Sequence, residues 1–76
     1  MNLSQLYYFR KLAELQHYTQ AAKELFISQP TLSHAISALE DDLGVKLFEK
    51  SGRNVQLSES GQLFKEYVDS ALGTLD

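Results

Sequence analysis

The segment that most constrains the fold of this chain spans residues 19–39. It holds a short helical pattern with two adjacent alanines, Ala21 and Ala22, and then a second helical pattern that starts near Ser28. Serine is a favoured N-cap, and a proline such as Pro30 fits the first turn of a helix. The two alanines are small enough to let the second helix pack closely across the first. The segment therefore predicts two crossing helices with a tight connection, the arrangement of a helix-turn-helix.

The second of these helices is predicted to have two different faces. Its apolar side chains recur at steps of four, three and four residues, which places them on one stripe. The stripe consists of Leu32, Ile36, Leu39 and Leu43. The opposite side and its flanks carry Pro30, Thr31, Ser33, His34 and Ser37. A helix held by one apolar face, with small polar residues on the other, suits insertion into the major groove of DNA.

Length and composition predict one small, mainly α domain. A chain of 76 residues is near the size at which a single core is only marginally stabilising. It has no cysteine, so no disulfide framework or thiolate metal site is expected, which fits a cytoplasmic protein. No apolar run approaches about 18 residues and no signal peptide is visible, so no membrane association is expected.

The charge balance weighs against DNA binding, but the placement of the charges matters more. Seven basic residues against ten acidic ones give a formal net charge of −3, whereas DNA-binding domains are usually basic. Several of the acidic residues lie in the last predicted helix, whereas residues 46–53 hold three basic residues and one acidic residue. The sequence therefore predicts modest non-specific affinity for DNA.

Around the central segment, the pattern predicts a first helix from Leu3 to about Leu15 and a second helix over residues 20–25, with Thr19 as its N-cap. Because the turn after the second helix contains no glycine, it is expected to avoid a left-handed residue. Ile27 is expected to fill the core beneath it. The third helix is predicted to end near Asp42, where Gly44 follows as a stop signal.

Beyond Gly44, residues 45–57 hold two short apolar runs around Ser51-Gly52-Arg53-Asn54, which predicts a two-stranded wing. The side chains expected to touch the core are Leu47, Phe48, Val55 and Leu57. Ser58 is predicted to cap a final helix that reaches the end of the chain. We therefore assign residues 1–57 to a winged helix-turn-helix and residues 58–76 to a linker helix, and expect the chain to be cut from a longer polypeptide.

The last helix is apolar over about half its circumference, which is wider than one packing partner needs. The first helix also shows a second apolar strip, and a small monomer rarely needs two. Together these features predict a homodimer. The predicted contact residues are Tyr8, Leu12, Tyr67, Val68, Ala71, Leu72 and Leu75.

An ordered set of short motifs runs through the chain. It comprises Leu6, Phe9, Thr19, Ala21-Ala22, Leu25, Ser28-Gln29-Pro30-Thr31-Leu32-Ser33, Ile36, Leu39-Glu40, Leu43-Gly44, Leu47-Phe48, Val55, Leu57-Ser58 and Gly61. With this set, the chain resembles the N-terminal DNA-binding domain of LysR-type transcriptional regulators over essentially its full length. The resemblance implies a winged helix-turn-helix followed by a long linker helix through which two chains dimerise. It also implies promoter binding as dimers or tetramers, controlled by a small metabolite that a C-terminal domain, absent from this sequence, would sense.

Two residues depart from the family pattern. His34 and Lys50 stand where arginine is common, and neither offers the bidentate fork of a guanidinium. The resemblance therefore implies weaker DNA contacts at these two positions.

For most candidate DNA contacts a plain structural role is the alternative. Gln29 can pair with adenine or donate to a phosphate, or it is a solvated first-turn residue. Thr31 and Pro30 can touch a thymine methyl group, although Pro30 also serves simply to start the helix. The remaining candidates in the two helices are Thr19, Ser33, His34 and Ser37.

In the wing, Arg53 is predicted to enter a minor groove or contact a phosphate, with a solvated hairpin charge as the alternative. Lys46 and Lys50 are candidate phosphate neighbours. Asp41 lies on the same outward strip as His34, and a carboxylate is repelled by the DNA backbone. Only the N-terminal half of the third helix is therefore expected to enter the groove, which is also the half that the helix dipole favours.

The predicted function is sequence-specific binding of double-stranded promoter DNA in bacterial transcription control. A winged helix used only for protein association is the alternative, which the acidic net charge and the wide apolar face of the last helix support. An enzyme is not expected, because the sequence offers no Ser-His-Asp set with suitable spacing and no glycine-rich phosphate loop. No cofactor or metal is expected either.

Overall fold

Four helices and one antiparallel pair of strands follow one another in residues 1–73, which are the residues that the computed structural model describes. The elements are α1 (Leu3–Leu15), α2 (Tyr18–Leu25), α3 (Gln29–Leu43), β1 (Phe48–Ser51), β2 (Asn54–Leu57) and α4 (Glu59–Gly73). The mainly α winged helix-turn-helix predicted from the sequence is confirmed. Across residues 1–73, every helix is too short or too polar to span a membrane.

Side chains cap the helices of the N-terminal half. In α1, the Asn2 side chain accepts from the backbone N–H of Gln5 at 2.9 Å, and Gln5 Oε1 accepts from the N–H of Asn2 at 3.1 Å. In α3, Ser28 Oγ accepts from the N–H of Thr31 at 3.1 Å, as predicted. In α2, however, the cap is His17, whose Nδ1 accepts from the N–H of Gln20 at 3.0 Å. The prediction that Thr19 caps α2 was therefore wrong, because the helix begins one residue before it, at Tyr18.

The connection between α2 and α3 does contain a left-handed residue. Phe26 has φ of 60°, and its N–H donates to the carbonyl of Lys23 at 3.2 Å, which closes the end of α2. The expectation that the turn would avoid this conformation was wrong, since the hydrogen bonding of the helix end holds a non-glycine residue there. Ile27 packs against the core, as predicted, whereas the Phe26 side chain is 94% exposed.

The core gathers around Phe9 of α1, which is fully buried. Its ring lies 5.4 Å from that of Phe48 in β1 and 5.0 Å from that of Phe64 in α4, measured between centroids. Val68 and Leu72, further along α4, belong to the same cluster and are 0% and 1% exposed. The last helix thus covers one side of the helix-turn-helix.

This packing corrects part of the predicted dimer contact. Leu12, Val68 and Leu72 are buried in the core of the chain itself, so they cannot also meet a second chain. Both apolar strips of α1 are used within the monomer, because α4 packs on one side while α2 and α3 pack on the others. Tyr67 is 58% exposed, and Leu75 lies outside the described residues.

The wing has the predicted form. β1 and β2 pair antiparallel from Phe48 with Leu57 to Ser51 with Asn54, and Gly52 supplies φ of 64° in the turn. Leu47 and Phe48 are buried, while Val55 and Leu57 are partly buried against the core. The Ser58 side chain accepts from the N–H of Gly61 at 3.0 Å, so it caps α4 as predicted.

His17→Asp is expected to raise the free energy of unfolding by about 0.5–1 kcal/mol, because aspartate is a better N-cap and its charge suits a helix N-terminus. Urea denaturation followed by circular dichroism measures the change. Thr19→Ala is the control; the Thr19 hydroxyl is exposed and bonds to the Gln29 side chain, not to the backbone at the start of α2, so its loss should cost at most about 1 kcal/mol. No gain for His17→Asp, together with a loss well above about 1 kcal/mol for Thr19→Ala, would restore Thr19 as the residue that starts α2.

Candidate nucleic-acid interface

The two faces of α3 are as predicted. Leu32, Ile36 and Leu39 are at most 1% exposed and hold the helix to the core. The polar candidates on the other side are all exposed, and the structure brings them together along one edge of the molecule. They are Gln29, Pro30, Thr31, Ser33, His34 and Ser37. We call this edge the reading face.

Thr19 joins the reading face through a hydrogen bond that the sequence did not reveal. Its hydroxyl donates to Gln29 Oε1 at 3.1 Å, although the two residues lie on different helices. With its oxygen engaged, the Gln29 side chain presents its amide nitrogen as the donor for a ligand. Gln29 is thereby held in one orientation at the start of α3, where the helix dipole favours an anion.

Thr31 is also held by the start of α3. The Ser28 hydroxyl that caps the helix donates to Thr31 Oγ1 at 2.7 Å while it accepts from the Thr31 backbone N–H. The first turn of the reading face is thus built on a local hydrogen-bonded frame. Such a frame lowers the conformational entropy that Thr31 would lose on binding a ligand.

The wing carries the other candidates. Arg53 lies at the exposed tip of the hairpin, and Lys50 is exposed on β1 opposite Val55. Lys46, before the wing, is 79% exposed at its side chain, with Nζ 3.8 Å from Glu40 Oε1. The basic residues of this region thus face solvent, where they can meet a phosphate backbone.

The C-terminal end of α3 differs in charge from its N-terminal end. Asp41 is exposed, and Asp42 forms an ion pair with the amino group of Met1 at 2.7 Å. The Asp42 charge is thereby compensated, but the exposed charge of Asp41 disfavours approach to a polyanion. The N-terminal half of the reading face is therefore the part better suited to a polyanion.

Tyr8 and Tyr67 do not lie on one surface. Tyr8 lines a groove between α1 and α3 together with Pro30 and His34. Tyr67 lines a different groove, which it shares with Val45 and Leu63. The structure thus separates two residues that the sequence had assigned to one dimer contact, because α1 turns its Tyr8 side toward the reading face.

Glu40, which the sequence placed only among the family motifs, has backbone partners in the structure. The side chain is buried, and Oε2 accepts from the N–H of Leu47 at 2.7 Å and from that of Phe48 at 3.4 Å. Burial raises the pKa of Tyr18, and the Glu40 charge adds to that rise, which places α2 beside the same carboxylate. The available signal was spacing: Glu40 follows Ile36 by four residues and so falls on the apolar stripe.

Comparison with known proteins points to one family. The family model for bacterial regulatory helix-turn-helix proteins of the lysR family matches residues 3–62. An uncharacterized HTH-type transcriptional regulator of Bacillus subtilis, YybE, is 46% identical over 72 residues, which is 95% of this chain and 25% of that protein. The HTH-type transcriptional regulator BudR of Klebsiella aerogenes is 47% identical over 76 residues, 100% of this chain and 53% of that protein. The chain thus spans between a quarter and about half of these relatives.

Solved structures give the same result for the fold. The CbnR DNA-binding domain in complex with DNA superposes with a TM-score of 0.92 at 40% identity, over 99% of this chain and 86% of that one. The BenM DNA-binding domain in complex with the catB site 1 DNA gives a TM-score of 0.93 at 39% identity, over 100% of this chain and 82% of that one. At this level of identity, the similarity extends from the backbone to many of the side chains.

Proposed function

Because this chain belongs to the LysR family of bacterial helix-turn-helix regulatory proteins, we propose that it binds double-stranded promoter DNA sequence-specifically and thereby regulates transcription. The observation that carries the proposal is the reading face, whose polar side chains are exposed while the opposite side of α3 is buried. The similarity to two DNA-bound domains supports it. The relatives are named as regulators, which supports a role without catalysis.

In the proposed complex, the N-terminal half of α3 enters the major groove. Gln29 donates its amide to a base edge or a phosphate, and Ser33 and His34 lie one turn further along. Thr19 acts by orienting Gln29, and the wing carries Arg53 to a neighbouring minor groove or phosphate. The exposed hydroxyl of Ser37 and the amine of Lys50 complete the proposed contacts.

We propose that two chains pair through α4. Support comes from its exposed apolar residues, since Leu63 is 66% and Tyr67 58% exposed. Ala71 lies one turn beyond Tyr67, and Tyr8 is no longer a strong candidate because it faces the groove beside His34. Pairing places two reading faces on two half-sites, which raises affinity without new contacts in either copy.

The relatives are longer than this chain, and the remaining properties are proposed for the whole protein. We propose that an effector-binding domain follows α4 and that the full protein forms dimers or tetramers in the cytoplasm, where bacterial DNA lies. The proposed division has residues 1–57 as the DNA-binding unit and residues 58–76 as the linker helix, although both share one core in the described residues.

Selection of duplexes from a random DNA library by this chain tests the function. We expect enrichment of a short motif, present as two half-sites if α4 pairs the chains. Affinity for the selected duplex should fall log-linearly as salt concentration rises. A chain that enriches no motif and binds no duplex at low salt would instead be a winged helix used for protein association.

Arg53→Ala is expected to weaken binding to the selected duplex. It should also make the negative slope of log affinity against log salt shallower by about one. The physical reason is that one fewer phosphate counterion is released. Lys65→Ala on α4 is the matched control, because it removes the same charge from a residue already paired with Asp69 at 2.6 Å. Equal changes in slope for the two variants would show that only net charge matters and that the wing makes no contact.

A further inference from the structure

The backbone of Leu47, just before the wing, is held from two helices. Its N–H donates to Glu40 Oε2 of α3 at 2.7 Å, and its carbonyl accepts from the N–H of Ser58, the cap of α4, at 2.9 Å. Its side chain is 1% exposed. The start of the wing is therefore a junction at which α3, β1 and α4 meet.

The carboxylate at this junction is costly for folding. Glu40 is 8% exposed, and a buried charge loses hydration that an apolar side chain on the same stripe would not lose. Its compensation comes from the two N–H groups where β1 begins and from Lys46, whose Nζ lies 3.8 Å from Oε1. The hydrogen bonds that stabilise this buried charge also fix the position of β1 relative to α3.

We propose that Glu40 is a positioning residue for DNA binding: by holding Leu47 and Phe48 against α3, it sets the wing relative to the reading face and so places Arg53 on the DNA. The inference rests on the proposed function and deepens it. Because Glu40 itself is buried, the proposal gives it no direct contact with DNA.

The length of the wing makes its base sensitive. Each strand has four residues, so the tip lies about 13 Å from Phe48 at about 3.3 Å per residue. A tilt of about 10° at the base moves the tip by roughly 2 Å. Because donor–acceptor distances in hydrogen bonds vary by only about 0.5 Å, this shift is enough to break a contact made at the tip.

Other hydrogen bonds at the junction attach the wing to α4, as when the Ser58 hydroxyl donates to the carbonyl of Lys46 at 2.6 Å. Elsewhere the wing is tied to α1, since the Val55 N–H donates to the Gln16 carbonyl at 3.4 Å and the Phe48 ring packs on Phe9. Glu40 supplies the side-chain hydrogen bonds that tie the start of β1 to α3, and the angle between these two elements depends on them.

A double-mutant cycle between Glu40 and Arg53 tests the proposal on a duplex selected by the wild-type chain. Glu40→Leu keeps the approximate shape of the side chain but removes the acceptor for the Leu47 N–H. We expect it to weaken binding about tenfold, which is the contribution of one charge-assisted contact between Arg53 and DNA. In the Arg53→Ala background the same change should weaken binding less than about twofold, because no contact remains for Glu40 to place. Glu40→Gln keeps an oxygen acceptor for Leu47 and should recover most of the affinity.

Three results would overturn the proposal. Equal loss from Glu40→Leu with and without Arg53 would mean that Glu40 acts only on general stability. An unchanged affinity for Arg53→Ala alone would mean that the wing needs no positioning, while DNA binding by the wild type would still support the proposed function. A wild-type chain that binds no duplex would overturn the proposed function together with this inference.

A second variant tests the same proposal if Glu40→Leu does not fold. Glu40→Asp keeps the charge but is shorter by one methylene group, so its oxygen reaches Leu47 only if β1 moves toward α3. The same dependence on Arg53 is expected for this variant. Affinity of Glu40→Asp equal to that of the wild type would show that the wing position does not matter.

Discussion

Val68→Glu is expected to unfold the chain. Val68 is 0% exposed and lies in the cluster that surrounds Phe9, so the new carboxylate would be buried without a designed partner. An unpaired buried charge costs several kcal/mol, which is comparable with the whole stability of a small domain. At neutral pH, circular dichroism should show loss of the helical signal at 25 °C, and a temperature scan should show no cooperative transition.

Tyr67→Glu is the matched control for this change. Tyr67 is the preceding residue on α4 and is 58% exposed, so a charge there remains in water. The variant should keep its thermal midpoint within a few degrees and, if α4 pairs two chains, sediment as a monomer. A folded but monomeric Val68→Glu would mean that Val68 faces a second chain, as the sequence alone had suggested.

Gly61→Ala is expected to lower the free energy of unfolding by about 3 kcal/mol or more, beyond the usual cost of overpacking a core. A methyl group at this position would overlap the carbonyl oxygen of Leu47 and lie 3.0 Å from Leu57 Cδ2. That carbonyl already accepts from the N–H of Ser58, so it cannot move without loss of a second contact. Thermal denaturation should show a midpoint lowered by more than about 10 °C for a chain of this size.

Gly73→Ala provides the same chemical change at the other end of α4. Among residues 1–73, the new methyl group would meet no atom within 4 Å, and alanine favours a helix more than glycine does. We expect stability to rise or to change by less than about 1 kcal/mol. If both variants lost the same amount, the cost at Gly61 would come from the glycine backbone and not from the contact with Leu47.

The elements that the sequence predicted well are those with local signals. The third helix is marked by the cap Ser28, the first-turn Pro30 and the stop Gly44, and its bounds agree to within a residue. The wing is marked by a glycine between two apolar runs. Such signals act within a few residues, so they can be read without knowledge of the fold.

The misassigned features depend on contacts that are distant in the sequence. The width of an apolar face shows that α4 buries something, but not whether Val68 and Leu72 meet α1 of the same chain or another copy. The bond from Thr19 to Gln29 and that from Glu40 to Leu47 each need the crossing of two elements. The cap at His17 was missed for a different reason, since histidine is rare at this position and Thr19 is a conventional cap nearby.

The cover that α4 places over Phe9 sets a lower limit on how short a folded fragment of this chain can be. A fragment that stops at residue 57 would retain the helix-turn-helix and the wing but would lose Phe64 and so expose the ring of Phe9 to water. The helix α4 is thus part of the folded unit that carries the reading face and cannot be removed without loss of core. Any transfer of the reading face to another protein should therefore include α4, at least through Leu72.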